Sequence, residues 1–254
     1  DMEIIVYCAR GGMRSSTVVS LFKEFSLPVI KLENGYKGYR QFLNDNLPKM
    51  LKEKEFVVLY GKTGSGKTNI LKEIEQKEYD VLDLEKCANH RGSLLGGIGL
   101  GGDATQKNFE ARVLDSILKS QSDVIFTEGE SKRIGSVIMP NYLFEVIFGA
   151  RKFFIETDMD RRIKIISEEY LKENYDEKEI FDALEKLGRY IGEKKKNEYV
   201  EKLKNKQFDE VIRDLMENYY DKVYKTKSHT FEKTFHNVDE EKCAEDIIKY
   251  VFGI

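Results

Sequence analysis

The chain has 254 residues, 41% of them hydrophobic and 11% aromatic, which is enough apolar mass for a core and excludes disorder as the default. A net charge of −3 and a pI near 5.9 exclude whole-molecule electrostatic attraction to nucleic acid, though not a local basic patch. The apolar runs are too short to span a bilayer, and three cysteines without paired spacing or a secretory leader set the expectation of a reducing cytoplasm and no membrane.

Charged residues at 34% and only 3 prolines suggest a helix-rich chain. Asp1 ahead of Met2 reads as an expression remnant, with Met2 the natural start. Residues 1–48 then read as strand (Ile4–Tyr7), loop, helix (Ser16–Phe25), strand (Val29–Leu32), and a loop through Gly35 and Gly38 into a short helix ending near Pro48. That piece has too little core to stand alone. A charged linker, residues 49–55, leads to a second unit over 56–254.

In the second unit strands at Phe56–Tyr60, Tyr79–Leu84, Asp123–Thr127 and Lys152–Glu156 alternate with helices at Lys67–Gln76, Lys107–Ser120 and Asn141–Phe148. The alternation predicts an α/β fold with a parallel sheet flanked by helices. Over 158–220 apolar residues recur at helical spacing among Lys and Glu, which predicts a helical subdomain; a strand near Thr230–Phe235 and a helix over Asp239–Phe252 close the unit.

Two glycine-rich loops, each between a strand and a helix, carry the chemistry. Gly61-Lys62-Thr63-Gly64-Ser65-Gly66-Lys67-Thr68 has the full spacing of a phosphate-binding P-loop. Its glycines let main-chain amides wrap a diphosphate, Lys67 faces the outer phosphate and Thr68 can hold Mg²⁺. Cys8-Ala9-Arg10-Gly11-Gly12-Met13-Arg14-Ser15 offers a thiol among amide dipoles and two guanidinium groups, which would favour a reactive thiolate; the alternative is an inert buried cysteine. Cys87 and Cys243 lie in apolar helical patterns and read as structural, and no Cys/His spacing supports zinc.

Three further segments are candidates. His90 and Arg91 stand before the glycine-dense stretch 96–102. Glu128 and Glu130 follow the third strand of the second unit, where acids beside a P-loop bind Mg²⁺ or orient a water. Between Lys186 and Lys206 the basic residues, among them Arg189, Lys194, Lys195 and Lys196, outnumber the acids. That stretch is either a solvated helix face or an RNA-backbone contact. Lys225–Ser228 does not make a guanine-reading motif.

The ordered set resembles the tRNA 2-selenouridine synthase family, in which a rhodanese-like domain with a C-x-R-G-G-x-R-S loop precedes a P-loop domain. Asp83-Leu84-Glu85, His90–Ser93, Gln106 through Phe109-Glu110, and Glu130-Ser131 with Arg133-Ile134-Gly135 follow in family order. The resemblance implies two steps at the wobble 2-thiouridine of tRNA: alkylation of sulfur by geranyl diphosphate, then displacement by selenium from selenophosphate. The P-loop, with Mg²⁺ at Thr68 and Glu128, would stabilise the departing diphosphate, while Cys8, Arg10 and Arg14 would handle selenophosphate. Only seven residues precede Cys8, so the chain resembles the second part of a divided enzyme, completed by a separate polypeptide. A P-loop kinase or ligase, a rhodanese-type sulfurtransferase acting on RNA, and a nucleotide-gated RNA-binding module remain the competing readings.

Overall fold

The computed structural model describes residues 3–93, 96–170, 177–224 and 230–254. The chain parts after Glu53 into two units. The first holds strand β1 (Ile4–Val6), helix α1 (Met13–Glu24), strand β2 (Val29–Lys31) and helix α2 (Gly35–Lys52). β1 and β2 are parallel, with Ile4 opposite Val29 and Val6 opposite Lys31.

The expected helix end near Pro48 and the expected linker over 49–55 are both corrected, because α2 runs through Pro48 to Lys52. Leu43, Leu47 and Leu51 recur at four-residue spacing and are all buried. Burying each contributes about 1.5–3 kcal/mol. Together they outweigh the roughly 3 kcal/mol that a proline inside a helix costs.

The second unit is built on a five-stranded parallel sheet. Its strands are β3 (Glu55–Tyr60), β4 (Val81–Leu82), β5 (Val124–Glu128), β8 (Arg151–Glu156) and β9 (Lys233–His236), in the order β4-β5-β3-β8-β9. A small antiparallel hairpin, β6 (Arg133–Ile134) with β7 (Val137–Ile138), follows β5. The flanking helices are α3 (Lys67–Gln76), α4 (Leu84–Ala88), α5 (Gln106–Lys119), α6 (Asn141–Gly149) and α12 (Glu240–Phe252). β3 reads as an almost unbroken apolar run because it is central and covered on both faces. Val57, Leu59, Phe126, Phe153 and Ile155 meet Ile70, Leu71 and Ile74 of α3 and Ala244, Ile247 and Ile248 of α12 in one core.

The strand expected over Tyr79–Leu84 shrinks to two residues for a local reason. Asp80 accepts the N–H groups of Gln121 and Ser122, and Asp83 caps α4 by accepting from the Lys86 N–H at 2.7 Å. Residues 158–220 include α7 (Met159–Tyr170), α8 (Glu177–Ile191), α9 (Glu193–Lys204), α10 (Phe208–Leu215) and a π-helical turn (Met216–Tyr220), which runs into α11 (Asp221–Val223). Leu184, Leu187, Tyr199, Val211 and Leu215 give α8, α9 and α10 a small core of their own. Residues 225–228, the stretch without a guanine-reading motif, lie outside the described residues.

Candidate active sites

The central position of β3 puts the P-loop at the carboxyl edge of the sheet, where parallel α/β folds place ligands. Gly61 and residues 63–68 line a cavity of about 370 Å³. α3 begins at Lys67, so its first N–H groups have no intrahelical carbonyl and are available to an anion. Lys67 Nζ donates to the Gly61 carbonyl at 3.0 Å, which holds the ammonium against the loop.

The opposite wall carries carboxylates. Glu85 and Glu130 line the cavity, and Glu85 accepts the Thr68 hydroxyl proton at 2.9 Å. Gly92, at φ +65°, is what lets the two acids converge: a Cβ there would lie 2.7 Å from both Glu130 carboxylate oxygens and 2.8 Å from one of Glu85. Burial, with Glu130 next, raises the Glu85 carboxyl to about 8. Glu128, expected at the metal, is instead fully buried one layer deeper. Its Oε1 accepts the Glu85 N–H at 2.8 Å, Oε2 is without a hydrogen-bond partner, and burial pushes its carboxyl well up. The Thr68 hydroxyl with Glu85 and Glu130 is a hard-oxygen set that suits Mg²⁺, which is commonly held by one or two carboxylates plus substrate phosphates. Among the described residues no three His, Cys, Asp or Glu side chains form a metal cage by themselves.

Residues from the distant helical segment close the loop's other side. Asp221 accepts from Arg162 at 2.7 and 3.0 Å and from Lys62 at 3.0 Å, while Arg162 Nε donates to the Thr63 carbonyl at 2.9 Å. The Tyr224 hydroxyl accepts the Gly61 N–H at 3.0 Å. Sequence reading found neither this clasp nor Glu85 as a site residue. Glu85 had a usable signal, an acid just past the end of β4; Arg162, Asp221 and Tyr224 had none.

Other expected residues fall elsewhere. His90 is buried beside Asp103 and does not line the cavity, and its Nδ1 is without a hydrogen-bond partner. Burial lowers its pKa, so it is a neutral packed imidazole rather than a group facing the ligand space. Arg91 does line the cavity, with its guanidinium 4.9 Å from the Tyr170 ring centroid and one nitrogen on the Ile98 carbonyl. The lysine trio is not a set of open cations. Lys196 is buried between Glu185 and Glu193, and Lys195 pairs with Glu198 and Asp214. Lys194 is exposed.

In the first unit Cys8 lies in the loop that follows β1, as expected. Its Sγ lies 3.4 Å from the Ser15 hydroxyl and accepts the Gly12 N–H at 3.2 Å. The thiol is lowered to about 6, first by the Ser15 hydroxyl and then by the Arg10 N–H, rather than by the guanidinium groups. Arg10 and Arg14 are both exposed. Gly35, at φ +55°, admits the Cys8 carbonyl, which would sit 2.1 Å from a Cβ there.

Residues 54–251 match the family model of the tRNA 2-selenouridine synthase AAA domain. A tRNA 2-selenouridine synthase of Hydrogenovibrio crunogenus is 29% identical over 249 residues, covering 87% of this chain and 68% of that protein. Those of Aeromonas salmonicida and Pseudomonas syringae pv. syringae are 35% and 36% identical over 66% and 65% of this chain. The chain spans 45% of the length of each of these two. A solved shikimate kinase from Acinetobacter baumannii aligns over 81% of the chain and 97% of its own at 14% identity and a TM-score of 0.36.

Proposed function

The chain belongs to the tRNA 2-selenouridine synthase AAA-domain family, and from that premise we propose that its P-loop binds geranyl diphosphate and transfers the prenyl group to the sulfur of wobble 2-thiouridine in tRNA. One observation carries the choice of a prenyl diphosphate over a nucleotide. A second, apolar cavity shares Thr63, Ser93, Ile166, Tyr170 and Tyr220 with the P-loop cavity. Beyond those shared residues it runs between Ile98, Ile180, Leu184, Leu203, Phe208 and Val211, an aliphatic and aromatic lining that offers no polar side chain to the edge of an adenine.

In this reading the sulfur attacks the first carbon of the prenyl chain, the carbon–oxygen bond breaks, and diphosphate departs. The amides of Gly64, Ser65, Gly66 and Lys67 with the Lys67 ammonium face the charge that develops on the leaving group. Mg²⁺, held by Thr68, Glu85 and Glu130, would supply Lewis-acid neutralisation of the same charge. The proton that the base loses on alkylation has carboxylates close by at the cavity wall.

Selenium delivery falls to Cys8, whose lowered pKa favours a thiolate at neutral pH, with Arg10 and Arg14 to attract selenophosphate. A separate polypeptide completes the first unit: Ile5 and Ile30 on its two strands and Tyr7 just past β1 are 57%, 46% and 60% exposed, an apolar surface at a two-stranded sheet. Free cysteines suit a reducing cytoplasm.

The test is to incubate the chain with thiolated tRNA, Mg²⁺ and geranyl diphosphate and to analyse nucleosides by mass. S-geranyl-2-thiouridine is expected with the parent and lost in a folded Lys67→Ala variant. Product formation by Lys67→Ala, or competition by ATP but not by other prenyl diphosphates, would overturn the assignment.

A further inference from the structure

Tyr190, the penultimate residue of α8, is 64% exposed, a large aromatic left in water on an otherwise amphipathic helix. It is not isolated. Its ring lies 6.0 Å from that of Tyr219, tilted by 56°, and Tyr219 meets Tyr220 edge-on at 5.1 Å. Tyr219 and Tyr220 line the P-loop cavity, so the exposed ring continues an aromatic wall that begins inside it.

Two exposed cations stand near that residue on the same helix. Lys186 lies one turn before Tyr190, and Arg189 adjoins it; both are exposed, and among the described residues neither is ion-paired. Of the neighbouring acids, Glu185 and Glu193 pair with Lys196 and Glu179 accepts the Gly99 N–H, while Asp182, one turn before Lys186, is exposed. A single exposed aromatic on a helix is ordinary. An exposed aromatic joined to the wall of a cavity, flanked by exposed cations on a chain of net charge −3, is an arrangement suited to nucleic acid.

We propose that Tyr190 and Tyr219, with Lys186 and Arg189, form the contact for an unpaired loop of RNA: a base stacks on the exposed tyrosine and the cations take its phosphates, which presents a neighbouring nucleotide to the P-loop cavity. This rests on the tRNA reading above and gives that reading its surface. Single-stranded loops are the natural partner because their unstacked bases can be splayed onto aromatic rings, which a duplex does not allow. The arrangement also relocates the RNA contact of this subdomain from Lys195 and Lys196, which are neutralised within the fold, to the face of α8.

The experiment uses the full chain, a labelled anticodon stem-loop bearing 2-thiouridine, and a blunt duplex of the same stem. Tyr190→Ala should weaken stem-loop binding by about 5- to 100-fold and leave duplex binding unchanged, whereas Tyr190→Phe stays near the parent. Lys186→Glu and Arg189→Glu should each lower the log–log salt slope by roughly one unit. Prenyl transfer to free 2-thiouridine nucleoside should be the same in Tyr190→Ala and parent, while KM for the stem-loop rises. If the parent binds and modifies the stem-loop and Tyr190→Ala does so with the same affinity and KM, this surface is wrong and the prenyl-transfer reading stands. If the parent modifies the nucleoside without binding the stem-loop, the surface is likewise wrong. If the parent neither binds nor modifies any thiolated substrate, the underlying reading fails first.

Discussion

Replacing Asp221 tests whether the clasp on the P-loop holds the second unit together. Arg162 is 4% exposed in its side chain and donates two hydrogen bonds to Asp221; without that carboxylate only the Nε bond to Thr63 remains. Breaking a buried pair by removing one partner costs about 3–5 kcal/mol, because a buried charge is left uncompensated. Asp221 itself is 16% exposed, so water can partly replace it and the lower end applies. The pair with Lys62, whose side chain is 43% exposed, adds only about 0–1 kcal/mol. Asp221→Ala should therefore lose about 3 kcal/mol. At a slope of roughly 2 kcal/mol per molar urea, the midpoint falls by about 1.5 M by far-UV circular dichroism. The dependence on pH has a definite sign. Burial works to raise the Asp221 carboxyl, but hydrogen bonds from Arg162 and Lys62 outweigh it and hold it below the usual range. Its stabilisation is thus complete above the ordinary carboxylate pKa and is lost as pH falls through the depressed value, so parent and variant converge in acid. A midpoint shift under about 0.3 M at pH 7 would refute the reasoning.

Cys8 should be alkylated by iodoacetamide with a half-maximal rate near pH 6, while Cys87 and Cys243, buried and pushed up to about 12, stay unlabelled in the native protein. Ser15→Ala should move the Cys8 profile to higher pH; an unchanged profile would show that the hydroxyl is not the cause. Glu128→Gln should be tolerated. The raised Glu128 carboxyl keeps a proton that the unfolded chain releases above about pH 4.3, so the parent loses stability relative to the variant as pH rises from acid to neutral, by ~1.4 kcal/mol per unit of elevation. Urea midpoints of the two proteins at pH 4 and pH 7 check this, and a variant that weakens relative to the parent at pH 7 would contradict it. Gly92→Ala should cost about 1–2 kcal/mol from its backbone angle alone and also part Glu85 from Glu130, lowering Mg²⁺ affinity by calorimetry; a variant with parental Mg²⁺ affinity would show that the two acids need not converge.

What the sequence determined by itself is local. The P-loop was legible because turn, amide cradle and helix start are all set within eight consecutive residues, and the thiol loop at Cys8 was legible for the same reason. The parallel sheet followed from strands that alternate with helices, although its order did not. Tertiary packing decided the rest. Arg162 and Asp221 reach the P-loop from helices 99 and 159 residues further along the chain, and no local pattern marks them, since their pairing exists only once the helical segment folds back. The helix through Pro48 is set by three buried leucines against one missing hydrogen bond, a comparison that requires knowing what is buried. Glu128 looked like a ligand because it ends a strand beside a P-loop, but the side chain points into the core and Glu85 takes the place at Thr68. Lys195 and Lys196 looked like an open cationic patch, yet acids of their own and neighbouring helices neutralise them. Residue type and spacing establish which chemistry a chain can perform; which groups face the cavity, and in which charge state, depends on desolvation and on partners that only the folded chain brings together.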